Sequence, residues 1–169
     1  NDDLPAAMEI RRGEAGTRMW TSEPGETALA TPGEPSGMWR HSGYAPQRLV
    51  GVGFISEGFD SGAPYRRLPD SRNARAQFVF EGVEDETLGD FGAFGGAAAL
   101  ELDIVNPKVG TPPHVLRLAS SEGHSNVYIV AQAEIGANHP GMDGIESPLI
   151  RADMVFFETQ NGGAVFSTG

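Results

Sequence analysis

At 169 residues, 39% of them hydrophobic and 21% charged, the chain is long enough for one domain with a real core and too short for two comfortable ones. Its net charge of -11, with Lys108 the one lysine among twelve basic residues, repels phosphate backbones and anionic lipid heads and argues against a nucleic-acid partner. There is no cysteine, which removes disulfides and thiolate-held zinc, and no apolar run approaches the roughly 18 to 20 residues that a membrane span needs.

About one residue in five is glycine or proline, a composition that favours many short elements joined by turns over long helices. Residues 1–7 read as a connecting arm, and residues 8–12 as a short strand. The chain opens on Asn1 rather than Met, which predicts a processed or excised N-terminus, and the acidic start Asn1-Asp2-Asp3 is unlike a signal peptide. Residues 21–37 hold Pro24, Pro32 and Pro35 and few apolar side chains, so they read as a surface excursion. A helical turn is expected over residues 36–41, capped by Ser36.

Residues 48–56 predict the first core strand, apolar on both faces through Leu49, Val50, Val52, Phe54 and Ile55, with Gly51 and Gly53 admitting close packing. Residues 58–73 read as irregular, residues 76–81 as a second strand carrying Phe78, Val79 and Phe80, and residues 89–96 as a glycine-rich turn. Residues 97–103 alternate in part and predict a strand, a helix being the alternative for the alanine run. Residues 115–119 and 127–134 are expected to pair through the polar turn at 120–126. The tail gives the clearest hairpin, strands at 154–157 and 164–166 around Gln160-Asn161-Gly162-Gly163. The predicted fold class is β-rich α+β, mainly antiparallel with long loops and minor helix, over residues 1–169 as a single domain or domain fragment. A strand that stops at Gly169 with nothing to cover it predicts a piece of a larger protein.

The run Ser120-Ser121-Glu122-Gly123-His124-Ser125-Asn126 offers a carboxylate and an imidazole two residues apart among hydroxyls. Such a set suits acid/base chemistry or a shared metal, although short polar turns favour the same residues for conformational reasons alone. Glu122 and His124 are the candidate site residues. The acidic stretch at 81–86, with Asp90, offers oxygen ligands to calcium without the spacing of a twelve-residue calcium loop, and a solvated turn is the simpler reading. His41, His114 and His139 each stand apart from any second ligand. Trp20, Trp39, Tyr44 and Tyr65 fit either a ligand cleft or half-buried core positions. No nucleophile elbow, dinucleotide fingerprint or phosphate loop is present.

Several stretches carry a resemblance when taken in order. They are Gly37-Met38-Trp39-Arg40, Pro46-Gln47-Arg48-Leu49-Val50-Gly51-Val52-Gly53-Phe54, Gly58-Phe59-Asp60, Tyr65-Arg66-Arg67, Phe80-Glu81-Gly82-Val83 and Gly95-Gly96-Ala97-Ala98. Gly110-Thr111-Pro112-Pro113-His114, Ala119-Ser120-Ser121-Glu122-Gly123-His124, the run from Arg151 to Thr159 and the run from Asn161 to Ser167 complete them. The set resembles the C-terminal region of the large (beta) subunit of the N,N-dimethylformamidase family, over nearly the whole chain.

That resemblance implies a bacterial, cytoplasmic amidohydrolase that cleaves N-substituted formamides at the amide C–N bond, giving formate and an amine. It implies a large subunit with a sugar-binding-like β-sandwich and a glutamine-amidotransferase-like α/β domain, of which this chain is a portion. It implies iron held by two tyrosines and a glutamate in the full-length parent, activating a water for attack on the formyl carbon. Expected partners are the remainder of the large subunit, a small subunit, a further copy in a homo-oligomer and the small amide substrate. The family's His-Pro-Glu segment and Gly-Gly-Asn-Gly strand belong upstream of Asn1, and none of the ligand motifs matches Tyr44, Tyr65 or Tyr128. The expectation is therefore no cofactor in this chain, with Glu122 and His124 supporting a site built elsewhere and the chain inactive alone. The alternative is a non-catalytic binding or assembly module of amidase-like ancestry.

Overall fold

A computed structural model describes residues 43–130 and 141–169. Pro46 sits in helical conformation and opens a single helical turn, α1 (Gln47–Val50), which Gly51 ends in the left-handed region at φ 85°. The eight strands that follow are β1 (Gly53–Ala63), β2 (Tyr65–Arg67), β3 (Thr87–Leu88), β4 (Ala98–Ile104), β5 (Leu116–Ser121), β6 (Ile129–Val130), β7 (Ala152–Glu158) and β8 (Ala164–Thr168). They form two sheets, a three-stranded one in the order β4-β1-β6 and a five-stranded one in the order β3-β2-β5-β7-β8. Every pairing is antiparallel.

The two sheets share one run of chain. β1 belongs to the smaller sheet and β2 to the larger, with Pro64 alone between them. The principal core lies between the sheets. Ile55, Ala98, Leu102, Ile104 and Val130 come from one side and Tyr65, Ala119 and Ala152 from the other, closed by Tyr128 and Ile150. On its opposite face the larger sheet presents Leu116, Leu118 and Phe156 to Ala76 and Phe80, so the segment that carries a 3-10 turn at Gln77–Phe80 lies over it as a third layer. Burying such side chains contributes about 1.5 to 3 kcal/mol each.

A buried carboxylate ties the sheets at one end. Asp153 of β7 is inaccessible to water, and its carboxylate accepts Val105 N–H just past β4 at 3.0 Å, the Ser120 hydroxyl at 3.0 Å and Arg151 Nε at 3.1 Å. Arg117 lies 3.5 Å away as a second cation. Nearby, the Tyr65 hydroxyl donates to the Gly169 carbonyl at 2.6 Å. Burial, with Asp103 and Asp153 close by, pushes that phenol up to about 12.

Most of the predicted strands are present, and four expectations are corrected. Residues 48–56 do not form one strand, because Pro46 and Gly51 bracket a helical turn and the strand starts at Gly53. Residues 58–73 are not irregular throughout, because β1 runs on to Ala63 and β2 follows it. Gly58 and Gly62 lie within that strand and permit close contact: a Cβ on Gly58 would sit 2.7 Å from the Tyr128 ring, and one on Gly62 2.7 Å from two carbonyl oxygens. Residues 76–81 form the 3-10 turn rather than a strand, since Ala76 and Phe80, four apart, are both buried while Phe78 is exposed. Among the described residues, 115–119 and 127–130 do not pair: β5 lies between β2 and β7, and β6 joins β1, while 131–134 lie outside the described residues. The β7–β8 hairpin matches its prediction, with Gly162 at φ 78° in the turn. The arm at 1–7, the strand at 8–12, the excursion at 21–37 and the turn at 36–41 lie outside the described residues.

Gly58→Ala is expected to cost about 1 to 3 kcal/mol by forcing Tyr128 off β1, read as a lower urea midpoint at unchanged slope. Asp153→Ala, which strips half-buried Arg151 and the Val105 amide of their acceptor, is expected to cost about 3 to 5 kcal/mol in the same titration.

Candidate functional site

The polar run singled out in the sequence leaves β5 at Ser121 and returns at Tyr128, beside β1. Gly123 takes φ 83° and allows the reversal. The turn is pinned from within and from β1. Tyr128 N–H donates to the Ser125 carbonyl at 3.2 Å, and the Ser125 hydroxyl donates to the Asp60 carboxylate, which holds that carboxyl below its ordinary value with help from the Ser61 amide. The Tyr128 hydroxyl donates to the Asp60 carbonyl at 3.3 Å and accepts Leu100 N–H at 3.2 Å. Leu100 is held at φ 69°, the one described non-glycine residue in the left-handed region. Such a conformation costs of order 1 to 3 kcal/mol, which the paired strands around it must offset.

The two candidate residues part company here. Glu122 is exposed, whereas His124 is 2% exposed and packs its ring 4.7 Å from that of Tyr128. The imidazole meets Ser121 instead, Oγ to Nε2 at 2.8 Å, a contact the sequence reading did not single out although the i, i+3 spacing of Ser121 and His124 across a turn was visible.

A serine bonded to a histidine invites comparison with a catalytic pair, and the geometry argues against it. Ser121 is fully buried, and its Oγ also accepts Ala152 N–H at 3.2 Å, so a substrate carbonyl has no approach. Whichever tautomer the ring takes, Nδ1 is buried without a partner among the described residues, where a catalytic pair needs a third group to orient the base. The pair locks a turn.

Elsewhere, the exposed acidic stretch at 81–86 contributes Glu86 to an ion pair with Arg72. His114 donates from Nε2 to the Glu158 carbonyl at 2.9 Å, and Tyr65 lies in the core rather than lining a cleft. Among the described residues, no group of three or more His, Asp or Glu side chains is placed to hold a metal ion, and no helix is long and apolar enough to cross a membrane. Trp20, Trp39, His41 and His139 lie outside the described residues.

Comparison with known proteins decides the family. The family model described as N,N-dimethylformamidase beta subunit-like, C-terminal, matches residues 1–169. The chain belongs to that family. It is 43% identical over 168 residues to an N,N-dimethylformamidase beta subunit of Paracoccus aminophilus, and 42% identical over 168 residues to one from an Alcaligenes species. In each case the match covers 98% of this chain and 22% of the relative, so the chain spans about a fifth of the length of these relatives.

The expected iron site of two tyrosines and a glutamate does not fit Tyr65 and Tyr128. The Tyr65 phenol is held protonated and donates to Gly169, and the Tyr128 hydroxyl is engaged by Asp60 and Leu100 backbone groups. Binding iron would require stripping those buried bonds.

Burial holds the His124 imidazole below its ordinary value of 6.5. The unfolded chain takes up a proton near 6.5 that the folded chain refuses, so this contribution is intact above 6.5 and is lost as pH falls below it. Urea midpoints are expected to drop between about pH 7 and pH 5, and His124→Gln is expected to flatten that slope.

Proposed function

We propose that this chain is the C-terminal part of the large subunit of an amidohydrolase that cleaves N-substituted formamides to formate and an amine. In that subunit it supplies a site wall and assembly surface, and the metal ligands come from polypeptide outside the described residues. The observation that carries this reading is the 43% identity across 98% of the chain to a protein named as an N,N-dimethylformamidase beta subunit. The engaged phenols of Tyr65 and Tyr128 support locating an iron site elsewhere. The name "beta subunit" further supports a second kind of subunit as a partner, and a bacterial, cytoplasmic enzyme belongs to the same reading.

The larger α/β, glutamine-amidotransferase-like surroundings are part of this proposal as well. The pairings described are all antiparallel, so parallel strands and their crossover helices would come from the rest of the subunit. The second reading, an assembly module whose parent does not hydrolyse amides, is favoured by one observation. The turn at 121–128 is closed by its own hydrogen bonds and offers a substrate no approach to Ser121 or His124.

The two readings part on the full-length protein with its partner subunit, incubated with N,N-dimethylformamide. Formate release with stoichiometric iron is the expected result, and Glu122→Gln is expected to leave the rate within about threefold, since the side chain is exposed. Full-length protein that binds no iron and releases no formate from any N-formyl amine would leave the assembly module standing.

A further inference from the structure

The larger sheet has two edges, and they are built differently. β3 is two residues long and follows exposed Glu84, Asp85 and Glu86, a short and charged edge of the kind that discourages further pairing. β8 at the other edge carries no charge, no proline and no bulge over Ala164-Val165-Phe166-Ser167-Thr168, and its register with β7 runs unbroken from Met154↔Thr168 to Glu158↔Ala164.

The phase of that ladder fixes which backbone groups remain. Thr159 N–H donates to the Gly163 carbonyl at 2.7 Å, and Gly169 N–H donates to the Asp153 carbonyl at 3.0 Å. Counting in twos between these bonds makes Phe157 with Val165, and Val155 with Ser167, the bonded pairs. The N–H and C=O groups of Ala164, Phe166 and Thr168 therefore point away from β7. Among the described residues no strand pairs with them. Phe166 stands opposite Phe156, against whose ring Phe78 packs edge-on at 5.4 Å, so an apolar row reaches the edge and stops with Phe166 about half exposed.

We propose that the outer edge of β8 is a docking site for an extended strand from the part of the same, longer subunit that lies outside residues 1–169. The incoming strand pairs with the outward groups of Ala164, Phe166 and Thr168 and sets an apolar side chain beside Phe166. This rests on the reading of the chain as part of a larger subunit. Two observations choose that occupant. The relatives carry this region as 22% of their length, leaving most of the polypeptide available to supply a strand. A second copy would bring another -11 of charge against this one.

The test uses the full-length subunit in its complex, with amide exchange resolved at residues 164–168 and photo-cross-linking from Thr168→p-benzoylphenylalanine. The expected result is exchange at Phe166 and Thr168 at least about 100-fold slower than in an unstructured peptide, comparable with Val165 and Ser167. The cross-link is expected within the same polypeptide, outside residues 1–169. Fast exchange at Phe166 and Thr168 beside slow exchange at Val165 and Ser167 would overturn the proposal. So would a cross-link to a second copy, to the partner subunit or to residues 1–42. Formate release from N,N-dimethylformamide, measured on the same preparation, separates the two ideas. Slow exchange without formate keeps the docking edge and sinks the proposed activity, and formate with fast exchange does the reverse.

Discussion

The Asp153 carboxylate is the point on which the two sheets agree. It sits on β7, one strand in from the edge of the larger sheet, yet one of its oxygens takes the amide of Val105 at the end of the smaller sheet's β4. The other takes Ser120 from the neighbouring strand and the guanidinium of Arg151. A charge buried this deeply is stabilising only when each of its lone pairs is met, and here four separate groups converge on it. Hydrophobic packing between the sheets is not directional, so it sets how close they come rather than how they are aligned. The carboxylate supplies the alignment, because its partners come from different strands and can meet in one arrangement only.

The same division of labour recurs at the turn after β5. Tyr128 fills the space above Gly58 and gives the core its largest fully buried side chain, while its hydroxyl and the Ser125 hydroxyl fix the turn to Asp60. His124 and Ser121 satisfy one another beneath it. The polar residues that looked like chemistry in the sequence are, in the fold, a device for reversing the chain between two sheets.

That outcome explains what the sequence could and could not disclose. Strands with alternating or continuous apolar residues, such as β4, β5 and β7, and the Asn-Gly hairpin between β7 and β8 were legible because their signals are local. The run of β1 past Gly58 and Gly62 was not legible, because a glycine that breaks a strand and one that lets a ring or carbonyl lie against it look alike until the neighbour is known. Phe78, Val79 and Phe80 have strand propensity, and only the sheet face they cover turns them into a helical turn. For the candidate site, the residue types were visible and the depth was not. The sequence put Glu122 and His124 two apart, but it held no sign that one faces water and the other the core. Family membership, by contrast, was legible from ordered motifs spread over the chain.

The passage of one strand from sheet to sheet bears on how this family can vary. Ala63 ends the smaller sheet's central strand and Tyr65 begins the larger sheet's β2, so Pro64 has no slack to give. An added residue there would turn every following side chain of β2 to the wrong face, moving Tyr65 out of the core it shares with both sheets. The turns at Gly82, Gly92 and Gly162 carry no such constraint, for nothing lies within 4 Å of where a side chain on them would begin. Length differences among relatives should therefore gather at those three turns and avoid the crossover, which makes Pro64 a fixed landmark for aligning distant members of the family.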